Sequence, residues 1–341
     1  MATFPPLVFD LPTIWALIIA FGLMMYVVMD GFDLGIGILF PFIHDRIDRD
    51  TMMNTVAPVW DGNETWLVLG GAALMGAFPL AYSVLLSALY LPLFFMLVGL
   101  ILRGVAFEFR FKADEAHRPI WDKAFISGSY LATFCQGVAI GAFINGFSLS
   151  GTTYTGGGLD WLTPFSVFTG VGLITAYALL GSTWLIMKTE GALQSRFKSM
   201  TRPITLAVLI AIAIVSLWTP AEHRDIAARW FSFPNIIVFS PVPVLVVITT
   251  FAIQHVIKKE THAAPFFFAL LLLFLGYTGL AISLWPNIIP PSISIREAAA
   301  PPQSMGFILV SALFVIPFIL GYTAMSYYVF RGKVKAGESY H

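Results

Sequence analysis

Nine apolar stretches, each close to the roughly 17–25 residues that an α-helix needs to cross a bilayer, divide this chain of 341 residues. They run over residues 10–30, 62–80, 81–103, 122–145, 165–187, 203–220, 236–257, 265–286 and 306–330. The pattern predicts an all-α integral membrane protein with nine spans. The first span has an open end, because Leu34 to Phe42 is apolar again. Its continuation would put Asp30 and Asp33 inside a long helix rather than after it. Pro41, Pro58, Pro79 and Pro92 mark turns or kinks, and Gly31, Gly35, Gly37, Gly70, Gly71 and Gly76 suit close helix packing. The loop 146–164, with its Gly-rich run up to Gly158, has no phosphate-binding pattern and reads as a flexible outer linker. Met187 to Gly191 faintly echoes Met29 to Asp33, too weakly to establish an internal repeat.

Composition agrees with a lipid solvent: 58% hydrophobic, 11% charged, mean hydropathy +0.82, against about 25% charged in a soluble domain. Lys+Arg and Asp+Glu balance at 19 each, so nothing marks a nucleic-acid partner. Met1 to Pro12 carries no Lys or Arg, whereas a secretory signal needs a positive start, so the first span is expected to be retained. The single cysteine, Cys135, excludes an internal disulfide and any CxxC chemistry.

Cations set the orientation. Sixteen of the 19 fall in alternate connections: Arg46 and Arg49; Arg103, Arg110, Lys112, Arg118 and Lys123; Lys188, Arg196, Lys198 and Arg202; Lys258 and Lys259; Arg331, Lys333 and Lys335. Only Arg224, Arg229 and Arg296 fall in the others. The N-terminus is therefore expected outside and the C-terminus in the cytoplasm, which requires an odd number of spans.

That orientation gathers the ionisable residues of the first three spans on one face. Asp30 and Asp33 come at the inner end of span one, Asp61 and Glu64 at the inner start of span two, and Arg103 and Glu108 at the inner end of span three. A charged side chain at a membrane helix is costly and by default suggests a pair, an ion path or a substrate site. The structural alternative is helix capping, since acids in a first turn favour the dipole. Arg103 is a counter-charge for Asp61 or Asp30, and breaking such a pair would cost about 3–5 kcal/mol. A polar inlet open to the cytoplasm is the natural reading.

His44, His117, His223, His255, His262 and His341 all lie in loops or at span ends. Transmembrane haem usually takes histidine from within the bundle, so this chain is expected to hold no haem or metal of its own. Neither a Walker A loop nor a HExxH pair is present.

Three motifs, in order, are Met29-Asp-Gly-Phe-Asp-Leu-Gly-Ile-Gly37, Ala57-Pro-Val-Trp-Asp-Gly-Asn-Glu-Thr-Trp-Leu67 and Arg103-Gly-Val-Ala-Phe-Glu-Phe-Arg110. Together they resemble subunit II of the cytochrome bd-type quinol oxidases, including the cyanide-insensitive branch. The motifs cover residues 25–112; topology and length carry the likeness over the rest. The resemblance implies two four-helix bundles (10–145 and 163–287) plus a peripheral ninth helix (305–330). It also implies a bacterial cytoplasmic membrane and a larger partner, subunit I. That partner would hold two haem b, one haem d or a third haem b, and the quinol site. The complex would oxidise membrane quinol and reduce dioxygen to water, with protons drawn from the cytoplasm.

On this resemblance Asp61 belongs to a proton inlet at the subunit boundary, with Asn63 a hydrogen-bond link. Glu64, Asp30 and Asp33 would complete the path, while Arg103 and Glu108 anchor the cluster beside Trp60. Trp66 would border an oxygen route or pack, and packing is preferred. A small accessory transmembrane subunit, and a lipid or quinone held among spans five to nine, are left open. Two rivals remain. A secondary transporter would place acids near the bilayer middle in both halves, but here the second half is nearly bare of them. A purely structural subunit would use the charges for packing alone.

Overall fold

The computed structural model describes residues 8–259 and 261–335; most of the cation-free N-terminal segment, from Met1 to Leu7, and His341 lie outside them. The chain is a stack of helices: α1 (Leu11–Leu39), α2 (Arg46–Asn54), α3 (Trp60–Ala77), α4 (Pro79–Lys112) and α5 (Arg118–Asn145). Then follow α6 (Pro164–Lys188), α7 (Gly191–Glu222), α8 (Arg224–Phe231), α9 (Asn235–Phe239), α10 (Pro241–Val256), α11 (Ala264–Leu284) and α12 (Pro302–Val329). Two small antiparallel hairpins interrupt them, β1 (Leu149–Ser150) with β2 (Thr153–Tyr154), and β3 (Asn287–Ile289) with β4 (Ile293–Ser294).

Local chemistry explains the boundaries. Proline sits in the first turn of α1, α4, α5, α6, α10, α11 and α12, where its missing N–H costs nothing. Asp10 caps α1 by accepting from the Thr13 amide at 3.0 Å. Thr163 and Ser166 form a reciprocal capping box at the start of α6. Gly146, with φ of 79°, ends α5 in a backbone conformation that a side chain would strain.

Among the described residues, eight helical segments are long and apolar enough to cross a membrane. α3, the second of the nine expected spans, falls short because its first turn is polar: it is 18 residues long and starts Trp60-Asp-Gly-Asn-Glu. α1 runs unbroken past both acids, so Asp30 and Asp33 lie within a helix. α4 has 34 residues, about 51 Å at 1.5 Å per residue, and so outreaches a hydrocarbon core of roughly 30 Å. Its surplus turns carry Arg110 and Lys112 beyond the apolar stretch. The loop expected to be a flexible linker is folded, with Leu149 opposite Tyr154 in the first hairpin and Asp160 accepting from the Gly157 amide.

α1, α5 and α6 form the centre, with α3 and α4 on one side and α7, α10 and α11 on the other. Glycine makes this possible. A methyl group at Gly35 would collide with the Tyr177 carbonyl, and one at Gly181 with the Gly35 backbone, so α1 and α6 cross at backbone distance. Gly99 of α4 and Gly128 of α5 meet in the same way. α12 is the opposite case, with Met305 its only buried residue.

Candidate functional site

α3 shows how the site is aimed. Asn63, Trp66, Gly70, Ala73 and Ala77 are its buried residues, a stripe at three- and four-residue spacing that faces α1. At 3.6 residues per turn, Asp61 lies about 200° around the helix from Asn63 and Glu64 about 100°. Accordingly Asn63 is 1% exposed, the Glu64 side chain 29%, and Asp61 is on the open face. The stripe was legible beforehand, and it points to Asn63 rather than to Asp61 as the inward residue.

On α4 the buried set Met96, Gly99, Arg103, Ala106 and Arg110 has the same spacing. Arg103 is fully buried, with Nη1 donating to Asp30 Oδ1 at 2.6 Å and Nη2 to Glu64 Oε2 at 2.9 Å. Its partners are therefore Asp30 and Glu64. The expected pairing with Asp61 does not form, and Asp61 makes no ion pair among the described residues. Glu108, also expected to anchor the cluster, lies about 140° from Arg103 around α4. It is exposed and paired with Lys112 at 3.6 Å.

Asp33, fully buried, accepts from Asn63 Nδ2 at 2.8 Å. Asn63 Oδ1 in turn accepts from the Tyr327 hydroxyl of α12 at 2.8 Å. Trp60 stacks on Phe107, ring centres 5.2 Å apart, and its ring lies 5.8 Å from the Arg103 guanidinium, an arrangement that favours a cation. Trp66 is buried and meets Phe21 edge-on at 5.8 Å, as packing requires.

Three carboxyl groups, Asp30, Asp33 and Glu64, thus act on one guanidinium. Unpaired charge is expensive in a low-dielectric site, and one guanidinium does not offset three carboxyl groups. Asp30 Oδ2, Asp33 Oδ1 and Arg103 Nε have no protein partner among the described residues, leaving two acceptors and a donor for further hydrogen bonds.

Sequence reasoning missed four polar residues that converge here from distant helices. Besides Tyr327, the Gln136 amide of α5 donates to the Tyr26 hydroxyl at 2.6 Å, one helical turn before Asp30, and accepts from Tyr177 of α6 at 3.0 Å. Their only advance signal was polarity within apolar runs. A second ionic network was also missed. Arg110 holds Asp122 and Asp50, both at 2.5 Å, while Arg49 reaches Asp122 at 2.8 Å and Arg118 reaches Asp50 at 3.7 Å. It ties α2, α4 and α5 together near the end of α4.

The donor set suits proton and hydrogen-bond handling and does not fit haem ligation. His44, His117, His223 and His262 lie in connections, and His255 in the last turn of α10. Among the described residues no three His, Cys, Asp or Glu side chains gather as a metal site. The second half instead holds an apolar cavity of about 530 Å³, lined by Leu173, Ala176, Val208, Ile212, Val246 and Leu272 among others.

Residues 11–330 match a family model described as cytochrome bd terminal oxidase subunit II. The chain is 29% identical to the cytochrome bd ubiquinol oxidase subunit 2 of Bacillus subtilis, over 96% of this chain and 98% of that one. It is 27% identical to the cytochrome bd-I ubiquinol oxidase subunit 2 of Escherichia coli, over 94% of each. In fold it resembles a chain of the bd oxidase from Geobacillus thermodenitrificans, with a TM-score of 0.75 at 16% identity, covering 94% of this chain and 99% of that one.

Proposed function

This chain belongs to the cytochrome bd terminal oxidase subunit II family, and from that premise we propose that it is the haem-free subunit of a bacterial respiratory quinol oxidase. Its partner, subunit I, carries two haem b and a haem d or third haem b. The complex oxidises membrane quinol and reduces dioxygen to water in the cytoplasmic membrane. The haems supply the electron transfer; this chain supplies a proton inlet and braces the partner. Nine spans, an outside N-terminus and a cytoplasmic C-terminus complete the reading, with α3 as the second span in addition to the eight longer apolar helices. The packing of α1, α3, α4 and α5, and of α6, α7, α10 and α11, supports two bundles over 10–145 and 163–287, with 305–330 peripheral.

The observation that carries the proton role is the ratio of three carboxyls to one guanidinium at a buried site. Dioxygen reduction consumes protons in a place that hydrocarbon seals off, so groups that bind and release them must line an entry. Asp61, exposed on α3, collects protons at the mouth. Glu64 is half-buried and hands them inward, past the Arg103–Asp30 pair, to Asp33 and Asn63. The apolar cavity of the second half supports a structural role for a quinone or lipid tail there. The ion pairs of Arg103 also cross-brace α1, α3 and α4, which favours a bracing role in addition.

The test is quinol-driven oxygen consumption by purified complexes carrying Asp61→Asn, Glu64→Gln or Asp33→Asn, normalised to haem content. Proton delivery predicts normal haem and about 10²-fold slower turnover for a lost proton carrier. Parental turnover with intact haem in all three would falsify the inlet, and lost haem would leave bracing alone.

A further inference from the structure

α12 is held by its ends rather than its flank. Trp15 Nε1 donates to the Met305 carbonyl at 3.0 Å near the start. At the far end Lys188 Nζ donates to the Phe330 carbonyl at 2.8 Å, and the Val334 amide donates to the Lys188 carbonyl at 2.9 Å. Between them, Phe307, Phe314, Phe318 and Met325 are all more than two-thirds exposed. A helix with so little apolar burial within the chain nevertheless places one side chain, Tyr327, against the acid cluster.

The placement is specific. The Tyr327 ring meets Trp184 edge-on at 6.1 Å; Trp184 stacks on Phe32, ring centres 4.1 Å apart, and Lys188 Nζ lies 5.1 Å from its ring. Phe32 immediately precedes Asp33 on α1. The end of α6 therefore fixes the end of α12 and the backbone around Asp33 through one indole.

The hydrogen bonds then carry direction. A phenol hydroxyl can donate to the oxygen of an amide but not to its NH₂ group. With Tyr327 donating to Asn63 Oδ1, Nδ2 must face the other way, toward Asp33 Oδ2. A phenol oxygen can also accept from an NH₂ group, so the acceptor-only Asp33 carboxylate sets which face of the amide it meets, while the Tyr327 hydroxyl holds the amide oxygen in place. Without the phenol hydroxyl, Asn63 Oδ1 loses this partner, and the amide is free to turn out of line with Asp33.

We infer that Tyr327 is a positioning residue of the acid cluster: through its bond to Asn63 Oδ1 it orients the amide that donates to Asp33. This rests on the proton-inlet reading and gives the peripheral helix a part in it. Tyr327 touches neither Asp33 nor Arg103 by any hydrogen bond, so its effect runs through Asn63.

The experiment compares Tyr327→Phe, Asn63→Leu and the double variant in the purified oxidase complex. Tyr327→Phe is expected to lower kcat about five-fold, the scale of one lost hydrogen bond, with haem content and the KM for quinol unchanged. Asn63→Leu lowers it further, and adding Tyr327→Phe to Asn63→Leu changes nothing more, the non-additivity that residues acting as one unit show. Three results overturn the inference: parental kcat in Tyr327→Phe, losses that multiply in the double variant, or loss of haem in Tyr327→Phe, which would make the hydroxyl a structural anchor. Asp33→Asn separates the levels. Parental turnover there takes Asp33 out of the inlet and overturns this inference with it. Slowed turnover there beside a parental Tyr327→Phe overturns the role of Tyr327 alone.

Discussion

Arg103 and Arg110 stand seven residues apart on one face of α4, about 10 Å along the axis, yet the networks around them have opposite charge balance. Arg103 is surrounded by Asp30, Glu64 and Asp33. Around Arg110, three guanidiniums (Arg49, Arg110, Arg118) share Asp50 and Asp122. In the first, Arg103 and Asp30 are inaccessible and the Glu64 side chain is 29% exposed. The second is similarly covered, with Arg110 1% and Asp50 31% exposed, and Arg49 and Arg110 lie 4.9 and 5.4 Å from the Phe40 ring. An excess of acid leaves carboxyls that the one guanidinium does not match, whereas an excess of cation leaves every carboxylate paired and holds the helices together. One helix thus carries an acid-rich cluster and a clamp, told apart by stoichiometry.

Substituting the two arginines breaks the comparison most sharply. Arg103→Leu strands Asp30 without its cation and is expected to cost about 3–5 kcal/mol, read as lost yield of haem-loaded complex and a lowered melting temperature. Arg110→Leu leaves Asp122 with Arg49 and Asp50 with Arg118, so about 1–3 kcal/mol is expected. Turnover per haem should stay at the parental level. Equal damage from the two, or slowed turnover in surviving Arg110→Leu complex, would dissolve the distinction.

The smallest effect comes from the other end of α1. Hydrogen bonding to Thr13, assisted by the Arg296 guanidinium at 2.9 Å, holds the Asp10 carboxyl below the usual carboxylate range. Its contribution is therefore complete above the unfolded-state pKa and is lost as pH falls through the lowered folded value. Asp10→Asn should remove that acid-side slope in a melting series and cost about 1 kcal/mol or less near neutral pH. An unchanged slope would show that this exposed cap, unlike the buried acids, is not linked to folding.

The reading from sequence succeeded where one-dimensional signals sufficed and failed where direction around a helix mattered. Asp30, Asp33, Asn63, Glu64 and Arg103 do converge on one buried cluster, as their positions along the apolar runs suggested. Asp61 and Glu108 share the same motifs, but lie about 200° from Asn63 and 140° from Arg103 respectively, and so face outward. The stripe from Asn63 through Trp66 and Gly70 to Ala77 would have shown that Asp61 faces outward. Nothing comparable announced Tyr327, which lies 264 residues from Asn63, or the Tyr26–Gln136–Tyr177 chain across three helices.

What the sequence alone determined was the apolar solvent and the all-helical class, because the length of an apolar run acts locally, residue by residue. Which carboxyls met the guanidinium, and that the last helix reached back to orient an amide on the third, was decided only by tertiary packing. Glycine contacts such as Gly35 on Gly181 set how the helices cross, and a buried polar group takes whichever partner that crossing brings within about 3 Å.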